Sequence, residues 1–239
     1  VTPETFKEAV KARYGIDLSS KQMEQFHVYY QELVQWNQQM NLTAITEEEG
    51  VYEKHFFDSL SLIKGVDLKN TQRMCDVGSG AGFPSLPVKI VFPNVEVTIV
   101  DALKKRISFL EALCDKLGLE GVNLVHDRAE IFGQDKKYRE QFDLVTARAV
   151  ARLNVLTELC LPLCQVSGTF VAMKGSKGQE ELEEAKKAIR LLGGETVTCL
   201  NFQLPTEESQ RDLIVIKKMK QTPKKYPRQA GKPNKSPIR

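Results

Sequence analysis

Apolar residues recur at steps of three and four along the first 65 positions. Phe6, Ala9 and Val10 share one helical face, and Met23, Phe26, Tyr30 and Leu33 share another. Ser19 or Ser20 stands where the second helix needs its cap. From residue 71 the pattern changes. Short apolar runs at Arg73–Val77, Val95–Val100, Val122–Val125, Phe142–Ala147 and Thr169–Met173 read as strands. Helical stripes alternate with them: Ile107, Leu110, Leu113, Cys114 and Leu117 over 104–117, Leu153, Leu156 and Cys160 over 151–161, and Leu182, Ala185, Ile189 and Leu192 over 179–192. Thr196–Leu204 and Asp212–Lys218 close the pattern as two more strands. Alternation of this kind predicts an α/β, Rossmann-like, doubly wound and mostly parallel seven-stranded sheet, with helices on both faces. The expected organisation is a helical extension over 1–65 packed on a sheet domain over 66–218, followed by a tail over 219–239.

In such a sheet, ligands bind beyond the carboxyl ends of the strands, where strand order reverses. The residues that carry chemistry fall there: Gly78 and Gly80 after the first strand, Asp101 after the second, Ala129 and Glu130 after the third, Arg148 after the fourth, Lys174 after the fifth. Glycine lets the backbone turn sharply and approach a ligand. Asp101 follows Gly78 by twenty-three positions, the separation at which a carboxylate meets ribose hydroxyls. The same residues also suit a structural turn, with Asp101 capping the next helix. Phe83 stands where a dinucleotide fingerprint has its third glycine, which argues against a nicotinamide cofactor. The pattern D-x-G-x-G-x-G from Asp76 instead resembles the first motif of class I S-adenosylmethionine (AdoMet) methyltransferases. AdoMet has an adenosine and no phosphate, so its loop has only a methionine moiety to hold.

Composition narrows the class. In 239 residues, 41% are hydrophobic, enough for a packed core. No apolar run approaches the roughly 20 residues of a bilayer span, and V-T-P-E-T-F-K-E-A-V has no signal-peptide pattern. The five cysteines have no metal-ligand spacing, so reduced thiols, a cytoplasmic location and no metal are expected. Charge is uneven. Residues 217–239 carry nine of the 34 Lys and Arg and none of the 31 Asp and Glu, leaving 25 basic and 31 acidic in 1–216, a net of −6. An acidic body with a basic, proline-rich end points to a polyanionic partner. The tail is expected to be extended, with Lys224, Lys225, Arg228, Lys232 and Lys235 on phosphates and Tyr226 stacking on a base.

The spaced motifs W-N-x-x-M-N-L-T (36–43), H-F-x-D-S-L (55–60), D-V-G-S-G-A-G-F-P (76–84), K-R-x-x-F-L (105–110), R-A-E (128–130), R-A-V-A-R (148–152) and Y-P-R-x-x-G-x-P (226–233) resemble the RsmG family, also called glucose-inhibited division protein B. Ser85 and Ala102 depart from it, where glycine and serine are common. The resemblance covers essentially the whole chain. It implies AdoMet-dependent methylation of N7 of one guanine in 16S ribosomal RNA; the expected partner is naked RNA or the 30S particle, and the expected state is a monomer. It also implies that Asp76, Gly78, Gly80 and Phe83 form the cofactor loop, with Gly78 and Phe83 lining the methionine and adenosine pocket. Asp101 would meet the ribose, Ala129 and Glu130 would border the adenine, and Arg148 would sit beside the cofactor at the substrate mouth.

Guanine N7 has a lone pair and no proton, so its attack on a sulfonium methyl needs no general base. T-A-R-A-V after the fourth strand is not an N/D-P-P-Y motif of the kind used on exocyclic amines, and no cysteine stands at a strand end as a nucleophile for pyrimidine carbon. Arg148 or Lys174 is expected to donate to guanine O6 or to a flanking phosphate; Arg148 suits equally a carboxylate pair that holds its loop. His55 and Phe56 read individually as core, and Asp58 as a helix cap.

Overall fold

A computed structural model describes residues 1–148 and 150–239; Ala149, inside the R-A-V-A-R motif, lies outside the described residues. The chain opens with α1 (Pro3–Tyr14) and α2 (Ser20–Asn37). Thr2 and Ser19 cap them, each in a reciprocal capping box that satisfies backbone donors at the helix start. The stripe on α2 buries Phe26, Tyr29 and Leu33. Tyr29, and not the expected Tyr30, faces inward.

A helical run then passes through α3 (Glu48–Val51), a π-helical stretch at Tyr52–Phe57, α4 (Asp58–Leu60) and a 3-10 turn at Ser61–Lys64. The sheet is built from β1 (Arg73–Val77), β2 (Glu96–Asp101), β3 (Val122–His126), β4 (Phe142–Arg148), β5 (Cys164–Lys174), β6 (Gly194–Gln203) and β7 (Gln210–Lys218). Its helices are α5 (Ser85–Val91), α6 (Lys104–Leu117), α7 (Ala129–Phe132), α8 (Leu153–Cys160), α9 (Gly178–Leu191) and, at the end of the chain, α10 (Lys232–Lys235). Strand order is β3-β2-β1-β4-β5-β7-β6. The first five strands run parallel, and β7 lies antiparallel to both β5 and β6. Order reverses between β1 and β4, so a crevice opens at their carboxyl ends.

One face of the sheet is covered by α5, α6 and the N-terminal helices, whose Phe6, Phe26, Tyr29, Tyr52 and Phe56 form a buried aromatic cluster. The other face carries α8 and α9. Among the described residues no helix is long and apolar enough to cross a membrane.

The last twenty residues fold back over this second face instead of extending. Tyr226 and Ile238 are buried in its core. Arg139 donates to the carbonyls of Thr222, Pro223 and Tyr226, and Asn154 donates to that of Ile238. Arg228 forms a fork on the buried carboxylate of Glu158, 2.7 Å from Oε1. The charge count of the tail concealed these anchors, which pair its few apolar groups and one arginine with partners some 70 or more positions earlier.

Candidate active site

The strand–turn–helix unit after β1 shapes the site. Gly78 has φ 68°, and a Cβ there would meet Val150 at 3.0 Å. Gly82 has φ 97°, and a Cβ there would lie 2.6 Å from the Tyr29 hydroxyl. That hydroxyl donates to the carbonyl of Ala81 at 2.6 Å, so the N-terminal extension holds the glycine turn directly. Glycine is required at 82 by this packing as well as by its left-handed backbone.

Asp76, fully buried, accepts from the Ser85 amide at 3.1 Å. A carboxylate therefore occupies the start of α5, where a dinucleotide fold receives pyrophosphate. Burial pushes the Asp76 carboxyl up to about 7, against the opposing pull of its Ser85 hydrogen bonds. Asp76 does not reach the cavity wall; it acts on the loop through Ser85.

Asp101 ends β2 with its side chain almost wholly buried. Its Oδ1 accepts from Leu103 N at 2.9 Å, and its Oδ2 lies 3.4 Å from Gly80 N and 3.6 Å from Arg106. It thus braces both the glycine turn and the start of α6 while facing the crevice. Glycine loop, Asp101, Ala129, Glu130, Phe83 and Arg148 all line one cavity of about 560 Å³. All the strand-end residues but Lys174 thus share one wall; of the two further residues that the resemblance implies, Phe83 lines the cavity and Asp76 does not.

The far wall comes from segments that read in the sequence as packing. His55 stacks on Phe83 with ring centroids 4.4 Å apart, and Tyr29 stacks on Phe83 at 5.4 Å. Arg148 lies over the same ring at 5.0 Å. Its guanidinium donates to the Lys54 carbonyl at 3.1 Å, to Asp58 Oδ2 at 3.2 Å and to His55 Nδ1 at 2.8 Å. All three partners come from the π-helical stretch and the residue after it; such stretches are frequent at functional sites. Arginine has no acceptor, so Nδ1 of His55 carries no proton and Nε2 donates to Thr43 Oγ1 at 2.8 Å. Burial, then Arg148 and Lys54, push the His55 ring down to about 3, so it is neutral.

Asp58 is buried as well. Burial raises its pKa, while Arg148 and Arg211 pull the other way. The carboxylate partner of Arg148 is thus present, and the guanidinium still lines the cavity.

His55 and Arg148 also line a second cavity, of about 320 Å³, beyond the ends of β4, β5 and β7. Lys174 borders it, but its ammonium is engaged by the Ala151 carbonyl and by Glu181 at 3.2 Å. The geometry commits Lys174 to the loop after Arg148. On the tail, Lys224, Lys225, Lys232 and Lys235 are exposed, whereas Arg228 is held by Glu158 and Tyr226 is buried away from any base. No group of three or more His, Cys, Asp and Glu among the described residues is arranged to hold a metal.

The signals for the far wall were the motifs around Thr43, His55 and Asp58. Only the fold shows that they converge on Arg148. Arg106, Arg128 and Val150 complete the wall; nothing in the strand pattern singled them out.

A seven-stranded sheet of this order, a turn whose helix start is filled by a carboxylate, and an acid facing the crevice at the end of β2 define a class I AdoMet-dependent methyltransferase. Solved structures share the fold: the YcgJ protein from Bacillus subtilis superposes with a TM-score of 0.54 at 15% identity, covering 70% of this chain and all of that one. The fibrillarin pre-rRNA processing protein of Methanococcus jannaschii gives 0.52 at 14%, covering 67% and 74%. Within the class, residues 22–214 match the family described as rRNA small subunit methyltransferase G, and the chain belongs to that family. Relatives of the name "Ribosomal RNA small subunit methyltransferase G" are 57% identical in Listeria welshimeri over all of both chains, and 58% identical in Oceanobacillus iheyensis over 99% of each. The Bacillus licheniformis relative is 60% identical over 94% of each.

Proposed function

We propose that this protein transfers a methyl group from AdoMet to N7 of one guanine in 16S ribosomal RNA. The observation that carries the reading is the state of the seam between the two cavities. His55 and Arg148 stand there, and neither offers a base: the Nδ1 lone pair of His55 is occupied by Arg148, and the guanidinium only donates. A target that brings its own lone pair and loses no proton suits such a seam. Guanine N7 is one.

The residues of the larger cavity fit the donor. Asp101 would take the ribose, the backbone from Gly78 to Gly80 the methionine moiety, and Ala129 and Glu130 the edge of the adenine. Bound there, AdoMet would supply a sulfonium methyl group: N7 would gain the methyl as the S–CH₃ bond broke, with the electron pair left on sulfur and the positive charge on the base. The protein's part is alignment and exclusion of water. Holding the reactants in line is worth roughly 7–11 kcal/mol of a barrier. Four exposed lysines, Lys224, Lys225, Lys232 and Lys235, support phosphate contact, with naked RNA or the 30S particle as the partner.

The test is to map 7-methylguanine on 16S RNA from cells with and without the gene, by borohydride reduction and aniline cleavage. One cleavage that disappears with the gene and returns with purified protein and AdoMet is expected. An unchanged cleavage map refutes the proposal.

A further inference from the structure

The second cavity holds a carboxylate that the cofactor cavity lacks. Asp58 is 4% exposed. Its Oδ2 holds Arg148 at 3.2 Å. Its Oδ1 accepts no hydrogen bond among the described residues; Arg211 Nε stands 3.4 Å away, outside hydrogen-bond geometry. The other carboxylate on this wall, Asp212, is fully engaged by the Gly178 amide at 3.0 Å and by the Asn201 side chain. A buried acceptor without a donor is rare and costly, and calls for an explanation. Arg211 is about a quarter exposed and its NH1 donates only to a neighbouring carbonyl, that of Gln210, so it covers Oδ1 without being locked there.

We infer that the second cavity receives the acceptor guanine and that Asp58 accepts hydrogen bonds from its N1–H and 2-amino group, displacing Arg211. This rests on the methyl-transfer reading above and names the residue that selects the base. The order of groups along the wall matches the order along the base. Arg148 lines both cavities, Asp58 only the second, and the two are in contact. Along guanine the sequence is N7, O6, N1, N2. With N7 at the seam, O6 falls to the guanidinium and the donor groups fall to the carboxylate. Adenine presents an amine donor where guanine has O6 and lacks the donor pair that follows, so both contacts fail for it. Phe202 and Met173 supply apolar wall for the ring faces.

The experiment uses the full-length protein and small-subunit RNA built by ligation, naked and assembled into particles, with guanine or inosine at the methylated position. Inosine keeps N7, O6 and N1–H but lacks the 2-amino group. The expected result is a kcat/KM about tenfold to 100-fold lower on inosine for the natural protein. Asp58→Asn should be slower on guanine, should bind AdoMet with a Kd within about twofold of the natural protein by calorimetry, and should lose most of the guanine-over-inosine preference. A merely structural Asp58 would slow both substrates by the same factor. Equal rates of the natural protein on guanine and inosine overturn the inference by themselves, even if the variant does not fold, and so does an unchanged preference in Asp58→Asn. Absence of transfer to guanine by the natural protein refutes the methyl-transfer reading and this inference with it.

Discussion

Two buried titratable groups, His55 and Asp76, pull the stability of this protein in opposite directions with pH. His55 is neutral because Arg148 donates to its Nδ1 and burial disfavours a second proton; its pKa falls from 6.5 to about 3. Unfolded, it takes a proton near 6.5. Its contribution is therefore complete above pH 6.5 and is lost as pH falls towards 3. Asp76 does the reverse. Its pKa rises from 3.8 to about 7, so the folded state holds the proton more tightly, and stability is gained as pH falls from 7 to 3.8. One proton changes stability by about 1.4 kcal/mol per pH unit. Between about pH 6.5 and 4.5 each group moves the balance by about 2 to 3 kcal/mol, with opposite signs, so together they nearly cancel.

Single substitutions remove the cancellation. Asp76→Asn leaves His55 unopposed, so stability relative to the natural protein should drop by about 2 to 3 kcal/mol from about pH 6.5 to 4.5. His55→Gln keeps an acceptor for Arg148 and removes the titration, so its relative stability should rise by the same amount over the same range. Urea unfolding at half-unit pH steps measures both, since differences from the natural protein remove the groups they share. A difference that stays flat for either variant would refute the assignment of that group's protonation state; for His55→Gln it would also refute the argument that Arg148 and burial keep the ring neutral.

Asp101→Ala removes the acid assigned to the ribose, and calorimetry should show AdoMet affinity weaker by about tenfold to 150-fold; unchanged affinity would place the donor elsewhere. Arg228→Ala strands Glu158 as a buried charge, so unfolding free energy should fall by roughly 3–5 kcal/mol while the exposed tail lysines are untouched. Replacing Lys224, Lys225, Lys232 and Lys235 by serine should flatten the dependence of log RNA affinity on log salt by about one for each phosphate that is no longer neutralised. A slope that does not move would mean that the tail lysines reach no phosphate.

The fold was legible because its signals are local. Strand runs, helical stripes and the Gly78–Asp101 separation each span a short stretch of chain, and the cofactor side of the site follows from them through the rule of strand ends. Boundaries moved where a neighbour extended an element. β5 begins at Cys164, ahead of the apolar run that starts at Thr169, since Cys164 pairs with Phe142 before the register shifts and pairing resumes at Leu144 and Thr169. Asp76 shows the limit of motif reading. Its place in D-x-G-x-G-x-G suggested a ligand contact, yet its side chain faces the Ser85 amide and shapes the loop from behind. The tail shows a different limit. Its composition describes solvated charge, and composition cannot register that Arg228 and Arg139 tie it to distant parts of the chain.

The side proposed for the acceptor was illegible for a physical reason. Thr43, His55, Asp58, Arg148 and Arg211 are scattered along the chain, and no spacing rule connects a π-helical stretch before the sheet to the final antiparallel strand. Each residue alone suits a bland role: a turn threonine, a core histidine, a helix cap, a strand-edge arginine. Their function is collective. A guanidinium forces a tautomer on the histidine and shares a carboxylate with a second guanidinium, and one oxygen of that carboxylate accepts no hydrogen bond among the described residues. The N-terminal extension is thereby more than a cover, because it delivers both the ring that stacks on Phe83 and the carboxylate that fixes Arg148. Any change that loosens it, even at Tyr29 and its bond to the glycine turn, should disturb both cavities at once, since the turn and the seam share Phe83 as their common wall.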